Sequence, residues 1–324
     1  MIHHAAFGLQ VSATERIPGL QVLDHRHGTS PDLLLWVQQQ PDVSSVEQML
    51  FNNPRQGKAG APPVQVSWLP ENSLYCFRYR DGTLFYIDRL GREIWTTWRE
   101  PFTAEDMATY LLGPVFGFVL RLRGVTVFHA SAVGIAGRAI ALLGQRHAGK
   151  STTAAAFSAA GFAVLADDIA AVDECDQAFS VRAGYPHLRL WPNAVELLYG
   201  RRDALRPLTP NWDKRDLPLD GHGGRVFQNE SLPLSAVYVL GDRRDEDRAP
   251  YVETLTARES FLTLIANTYV NYALDEGMRS REFGLIGRLL ACVPIRRVVP
   301  HSNPQKVWQL RDVILADFGE ACSR

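Results

Sequence analysis

Cysteine is scarce in this chain. Only 4 of the 324 residues are cysteines, and no two of them form the C-x-x-C pair that is typical of structural zinc sites and redox centres. They are Cys76, Cys175, Cys292 and Cys322. We therefore expect no structural zinc site and no disulfide framework, and a reducing, cytoplasmic location is the simplest interpretation.

Charge of one sign is not in excess either. The 34 Lys and Arg residues nearly balance the 35 Asp and Glu residues, which leaves a net charge of -1. Proteins that bind nucleic acid along its backbone normally carry a basic excess. The balance of charge therefore indicates that nucleic acid is not a partner.

Long apolar runs are also missing. A membrane-spanning helix needs roughly 20 predominantly apolar residues, and the apolar stretch at residues 107–120 is interrupted by Gly113, Pro114 and Gly117. The first residues lack the basic region and apolar core of a secretory signal. We thus expect neither a membrane partner nor secretion, and the 46% hydrophobic composition is instead that of a folded soluble protein.

What the chain does contain is a phosphate-binding motif. Residues 144–151 match G-x-x-x-x-G-K-[ST] without a gap, after an apolar strand and before a good helix former. Glycines let backbone N–H groups approach phosphates, and the start of a helix attracts anions. A strand–helix turn that binds nothing is the alternative, but such a turn would not need Lys and Ser side by side. The predicted nucleotide-binding residues are Gly144, Gln145, Arg146, His147, Ala148, Gly149, Lys150, Ser151 and Thr152.

Two residues of the motif have specific expected roles. Lys150 supplies a positive charge for the β- and γ-phosphates, and the Ser151 hydroxyl can bind Mg²⁺. ATP and Mg²⁺ are therefore the expected cofactors. His147 stands where many such loops have glycine, so a backbone with positive φ at this position would be strained.

An acid pair follows the motif along the chain. Asp167 and Asp168 come directly after an apolar strand predicted at residues 162–166. Ligands of open α/β sheets bind at the carboxyl ends of the strands. One acid can hold the metal there while the other accepts a proton from an attacking hydroxyl. A solvated turn is the alternative interpretation of the pair.

One histidine belongs to the same predicted sheet. His129 lies in a strand predicted at residues 125–133, immediately before the strand of the phosphate-binding motif. If the two strands pair, the imidazole can face the acids and tune the base. Otherwise His129 is a hydrogen-bonded histidine of the core.

Residues 1–100 are predicted to form a β-rich module. Short β-like runs alternate with turn residues, and Asp81-Gly82 is typical of a tight hairpin. Residues 52–63 form a Pro- and Gly-rich flexible loop by composition. The predicted strands span residues 33–37, 64–68, 74–79, 84–87 and 93–98.

Residues 101–324 are predicted to form the α/β nucleotide-binding domain. Thr103 is the expected N-cap of a helix that runs to residue 122 and kinks at Gly113-Pro114. Residues 201–225 are expected to form either a mobile loop near a phosphate site or a plain solvated loop. Other strands are predicted at 169–173, 232–240 and 294–299, and helices after an Asn193 cap and at 259–271, 281–291 and 304–318.

The motifs together resemble a known family. The stretch Phe128-His129-Ala-Ser, the motif at 144–151 and Leu165-Ala-Asp167-Asp168 resemble, in order and spacing, the C-terminal kinase domain of HPr kinase/phosphorylase. That fold is related to phosphoenolpyruvate carboxykinase. Tyr185-Pro-His-Leu-Arg189-Leu-Trp and the later Lys-Arg pair at 214–215 are similar to HPr-kinase-related proteins found beside peptide-modification genes, including lasso-peptide precursor kinases.

The resemblance implies a role for each matching residue. Lys150 and Ser151 would serve the phosphates and Mg²⁺. Asp168 would be the base for the acceptor hydroxyl, Asp167 would serve the metal, and His129 would support the acid pair. The expected substrate or phosphate contacts are Arg189, Lys214 and Arg215.

The expected activity is Mg·ATP-dependent phosphorylation of a hydroxyl, with a Ser of a peptide or small protein as the expected acceptor. A P-loop ATPase or nucleotide-gated regulatory module without an acceptor is the alternative. A carboxykinase-like enzyme acting on a small acid is less favoured, because no cluster of extra basic and metal-ligating residues is evident. The sequence leaves open the reverse phosphorylase reaction and whether the chain is a homo-oligomer.

Overall fold

The computed structural model describes residues 1–23, 30–52, 64–176 and 178–322. The predicted loop at 52–63 lies outside the described residues from position 53 onward. The chain divides into two compact units. The first comprises Met1–Val125, Leu208–Trp212 and Val270–Arg279, and the second comprises Thr126–Pro207, Asp213–Tyr269 and Ser280–Arg324. The division predicted between residues 100 and 101 stays a prediction.

The first unit is built on one mixed sheet. Its strands are β1 (Ile2–Ala6), β2 (Leu9–Ala13), β3 (Leu33–Val37), β4 (Gln48–Asn52), β5 (Val64–Leu69), β6 (Leu74–Tyr79), β7 (Leu84–Asp88) and β8 (Glu93–Thr97). Their order in the sheet is β1-β2-β3-β8-β7-β6-β5-β4. Alternate residues of β3 are buried, as the period of a half-buried strand requires. The predicted hairpin at Asp81-Gly82 joins β6 to β7, with Gly82 at φ +89°.

Two helices follow the sheet and meet at a kink. Helix α1 (Ala104–Tyr110) begins at the predicted cap, where the Thr103 hydroxyl accepts from the backbone N–H of Asp106 in a capping box. A π-helical turn leads into α2 (Phe116–Leu122), and Gly113 within it has a non-helical backbone beside Pro114. Because proline removes one backbone donor and clashes with the preceding turn, the kink occurs at the predicted position.

The rest of the chain contains twelve strands and five α-helices within the described residues. The strands are β9 (Thr126–Phe128), β10 (Ser131–Ile135), β11 (Arg138–Gly144), β12 (Val164–Ala166), β13 (Ala170–Cys175), β14 (Ala178–Val181), β15 (His187–Leu190), β16 (Pro207–Thr209), β17 (Trp212–Pro218), β18 (Leu232–Leu240), β19 (Tyr251–Thr254) and β20 (Ile295–Val299). The helices are α3 (Lys150–Ala159), α4 (Pro192–Tyr199), α5 (Ala257–Ala266), α6 (Glu276–Cys292) and α7 (Val307–Cys322).

Strand β11 lies in the interior of the larger sheet of the second unit. It pairs antiparallel with β10 and parallel with β18, which in turn pairs parallel with β20. Alternate residues face two different cores. Ile140 and Leu142 pack in the core that contains Phe157 of α3, while Leu143 packs with residues of α5 and α6. Burial on both faces explains why this strand is a continuous apolar run.

Four predicted elements differ in the structure. The helix expected at 259–271 spans Ala257–Ala266 and ends five residues earlier than predicted. The strand expected at 125–133 is two strands, because β9 pairs with β13 whereas β10 pairs with β11 and β12. The segment at 201–225 is not one loop, since β17 pairs antiparallel with β15. The N-cap of α4 is Trp191 rather than Asn193, since Pro192 takes the first helical position that suits its fixed φ.

The helices of the described ranges were also compared with the length and hydropathy of a membrane span. None of them is both long and apolar enough to cross a bilayer.

The packing of α3 on the sheet generates a stability prediction. Phe157 is fully buried, whereas Phe283 on α6 is 60% exposed. We expect Phe157→Ala to lower the free energy of unfolding by about 3–5 kcal/mol, because it leaves a cavity beneath the helix. Phe283→Ala should cost no more than about 1 kcal/mol. Urea denaturation checks both, and equal losses would contradict this packing.

Candidate nucleotide site

The predicted phosphate loop connects β11 to α3 through an unusual backbone. Gly144 has φ +145°, and a Cβ there would lie 2.9 Å from the carbonyl oxygen of Leu240. Gly149 has φ +106° and directly precedes α3. His147 has φ +67°, so the strain expected for a non-glycine residue is present. Only glycine fits at Gly144, because a side chain would meet the backbone of β18.

Lys150 begins α3 and turns back over the loop. Its ammonium donates to the carbonyl oxygens of Gly144 at 2.8 Å and Gln145 at 3.1 Å. The residue is only 7% exposed, and burial lowers the pKa of its ammonium to about 8 although Asp168 and Asp167 act in the opposite direction. Lys150 is therefore a desolvated cation that is held by neutral carbonyl groups.

Asp167 is the best-connected side chain of the site. Its Oδ1 accepts from the hydroxyls of Ser131 at 2.6 Å and Ser151 at 2.8 Å. Its Oδ2 accepts from the backbone N–H of Arg189 at 3.1 Å. Burial, and next the charge of Asp168, raise the pKa of this carboxyl above its ordinary value. Ser151 and Asp167 are thus in direct hydrogen-bond contact, and their shared metal role stays a prediction.

Asp168 faces positive charge instead. Its Oδ2 lies 3.8 Å from Nη1 of Arg189 and 4.0 Å from Nζ of Lys214. Burial alone would raise the pKa of Asp168, but the charges of Lys214 and Arg189 hold it below its ordinary value. Its backbone has φ +63°, a conformation that Asp tolerates better than most residues. The pKa values of the two adjacent carboxyls are therefore shifted in opposite directions.

His129 lies between β9 and β10, where the predicted single strand breaks. Its Nδ1 is 3.0 Å from the backbone carbonyl oxygen of Asp168. Because a carbonyl oxygen only accepts, Nδ1 must carry the proton. Burial and then the charge of Lys150 lower the pKa of the imidazole. The ring stacks on Tyr269 at 5.3 Å between centroids, so His129 supports the backbone of Asp168 rather than its carboxylate.

The three residues expected to contact substrate or phosphate do not all meet at the acids. Arg189 of β15 is 5% exposed and Lys214 of β17 lies against Asp168. The ammonium of Lys214 is also 5.7 Å from the ring centroid of Trp191. Arg215 instead donates from Nε to the carbonyl oxygen of Arg202 at 3.4 Å. The alternation of side chains along a strand separates Arg215 from its neighbour.

The loop residues between the glycines differ in exposure. Gln145, Arg146 and His147 are exposed, while Ala148 is partly buried against the core beneath α3. The imidazole of His147 lies 5.7 Å from the ring of Trp191. Thr152, the last of the predicted nucleotide-binding residues, lies in the first turn of α3.

Several residues of the site were not singled out from the sequence. Arg243 follows β18, and its Nη2 would lie 3.2 Å from a Cβ built on Gly149. Asn267 accepts from the backbone N–H of Gly144. Ser131 and Trp191 appear inside the stretches that carry the family resemblance. The position of Arg243 at the carboxyl end of a strand beside β11 is the one signal that sequence reasoning could have used.

These residues fit a magnesium nucleotide. The loop has glycines with positive φ at both ends, the buried ammonium of Lys150 lies beside it, and the Ser151 hydroxyl bonds to the Asp167 carboxylate at the start of α3. Among the described residues, no three His, Cys, Asp or Glu side chains cluster as a metal cage. Mg²⁺ suits such a site, since it is usually bound by one or two carboxylates, water and substrate phosphates.

The pKa of Lys150 generates a pH prediction. In the ligand-free protein the ammonium loses its proton as the pH rises through about 8, whereas bound phosphates would favour the charged form. The Kd for Mg·ATP should therefore be flat below pH 8 and rise above it, by up to about tenfold per pH unit.

Titration calorimetry from pH 6.5 to 9.5 measures this dependence. Lys150→Ala should bind more weakly and lose the rise, and Lys306→Ala should behave as the wild type. A Kd that does not change above pH 8 would remove the buried ammonium from phosphate binding.

Comparison with known proteins finds similarity among solved structures. No family model and no curated protein matches the chain. Among solved structures, the chain is similar to the Hpr(Ser) kinase/phosphatase from Coxiella burnetii, with 10% sequence identity and a TM-score of 0.34. The match covers 60% of this chain and 97% of that chain. The mixed α/β fold is evident from the chain's own strands and helices, and the roles of its residues have to be argued from their own geometry.

Proposed function

We propose that the second unit is a kinase that transfers the γ-phosphoryl group of Mg·ATP to a hydroxyl, with a Ser of a peptide or small protein as the acceptor. One observation carries the proposal. Two neighbouring acids at the carboxyl end of β12 differ in environment, since Asp167 bonds to Ser151 while Asp168 faces Lys214 and Arg189. Two carboxyl groups whose pKa values are shifted in opposite directions at one site commonly take different roles in a reaction.

The residues would divide the binding of the nucleotide between them. Lys150 would exchange its two carbonyl partners for the β- and γ-phosphates, and the N-terminus of α3 would add its unpaired N–H groups. Ser151 and Asp167 would hold Mg²⁺, which neutralises charge on the phosphates when bound. Arg243, which follows β18, has its guanidinium next to Gly149 and would add positive charge for the same anion.

Asp168 would act on the acceptor. A bond forms between the hydroxyl oxygen and the γ-phosphorus, the bond from the γ-phosphorus to the bridging oxygen of ADP breaks, and the hydroxyl proton passes to Asp168. Its depressed pKa keeps the carboxylate charged before nucleotide arrives. Because phosphates compete for Lys214 and Arg189, the pKa of Asp168 would rise toward its ordinary value on binding and the carboxylate would become a stronger base.

The edge strand β4 of the eight-stranded sheet favours a peptide as the acceptor. Within the described residues β4 pairs only with β5, and it exposes Met49 at 54% and Leu50 at 47%. An apolar edge strand of this kind can bind an extended chain by strand addition. We therefore take the acceptor to be a Ser within a flexible peptide segment.

A peptide library tests the transfer. The protein is incubated with Mg·ATP and peptides that carry one Ser within randomised flanking positions, and a matched library carries Ala in place of Ser. The expected result is a gain of one phosphate by intact mass and ADP release that requires the Ser library. ADP release that is equal with both libraries would identify an ATPase and contradict the kinase.

The acid pair provides a sharper test. Asp168→Asn, which suits the left-handed backbone, should lower transfer by about 10²–10⁴-fold while Mg·ATP still binds. Asp167→Asn should weaken the Mg²⁺-dependent part of nucleotide binding. Asp173→Asn is the matched control, because Asp173 on β13 pairs with Arg182, the residue after β14, and not with the acid pair. Wild-type transfer by Asp168→Asn would overturn its assignment as the base.

A further inference from the structure

A short segment after α5 reaches the phosphate loop. Asn267 follows the last residue of α5, and its Nδ2 donates to the carbonyl oxygen of Thr263 at 2.8 Å. That bond fixes the orientation of the carboxamide, so Oδ1 faces Gly144 and accepts from its backbone N–H at 3.2 Å. The carboxamide therefore spans from the end of α5 to the first residue of the loop.

The backbone of the same segment holds the other half of the site. The carbonyl oxygen of Asn267 accepts from the N–H of His129 at 2.8 Å, and the N–H of Tyr269 donates to the carbonyl oxygen of Val127 at 2.9 Å. Tyr269 also stacks on the imidazole of His129. Residues 267–269 thus run beside residues 127–129. Asn267 itself bonds both to Gly144 of the phosphate loop and to His129, which in turn bonds to the backbone of Asp168.

The peptide groups of Gly144 are anchored from two sides. The N–H of Gly144 is bound by Asn267, while its carbonyl oxygen accepts from the ammonium of Lys150 at 2.8 Å. Phosphates would draw that ammonium away from the carbonyl, so the loop loses one anchor when it binds its ligand. Gly144 has the conformational freedom of a glycine and a φ of +145°, and the remaining anchor then opposes its relaxation.

We propose that Asn267 is a positioning residue that holds the start of the phosphate loop in the conformation that binds the nucleotide. The inference rests on the proposed function and adds a specific residue to it. Asn267 acts through Gly144 and needs no contact with the nucleotide. Its loss should therefore weaken nucleotide binding far more than it weakens the fold.

The test compares two variants of the same segment. Asn267→Ala removes the bonds to Gly144 and Thr263, and should raise the Kd for Mg·ATP about tenfold, the effect of one hydrogen bond of ordinary strength. Thr268→Val is the matched control, because the Thr268 hydroxyl also donates to an α5 carbonyl, that of Ile265 at 2.9 Å. The control leaves the bond to Gly144 in place and should keep the wild-type Kd.

Folding is checked first, and the Kd values then decide whether Asn267 positions the loop. Thermal melts of the ligand-free proteins establish folding, and Asn267→Ser replaces the Ala variant if that variant is unfolded, since Ser is too short to reach Gly144. A Kd for the Asn267 variant within twofold of wild type overturns the inference. An equal rise in Thr268→Val also overturns it, because the effect would then belong to the segment as a whole. Absence of Mg·ATP binding by the wild type defeats the proposed function itself.

Discussion

The candidate site depends on one buried carboxylate that joins three elements. Asp167 is 2% exposed and accepts hydrogen bonds from Ser131 on β10, from Ser151 on α3 and from the N–H of Arg189 on β15. A buried carboxylate is costly unless its lone pairs are satisfied. The need to satisfy Asp167 therefore fixes the start of α3, strand β10 and strand β15, which carries Arg189, relative to one another.

The arrangement around Asp167 also determines the environment of its neighbour. Because Arg189 is held by its backbone, its guanidinium can lie opposite Asp168, where Lys214 joins it. Asp168 has a left-handed backbone, and His129 bonds to its carbonyl oxygen. Asp167 thus accepts hydrogen bonds from three elements, whereas the adjacent Asp168 faces two positive charges, and the proposed metal and base roles rest on this difference.

Much of this arrangement was predictable because its signals are local. A contiguous motif predicted the phosphate loop. The apolar runs of β11 and β12 predicted that Asp167 and Asp168, which follow β12, lie at the same edge of the sheet as the loop. The break at His129 was not predictable, since an apolar run continues through it and only the pairing of β9 with β13 divides it. Asn267 also gave no signal, because its bond to Gly144 joins residues far apart in the chain.

The most direct measurement of the central claim is a crystal structure of the protein with Mg²⁺ and a non-hydrolysable ATP analogue. The expected structure has the triphosphate along the N–H groups of residues 144–151, with the ammonium of Lys150 moved from the carbonyl of Gly144 to the phosphates. Mg²⁺ should lie at the hydroxyl of Ser151, beside Asp167. A triphosphate bound elsewhere, or a loop in which Lys150 keeps both carbonyl partners with ligand present, would contradict the assignment of this site to phosphoryl transfer.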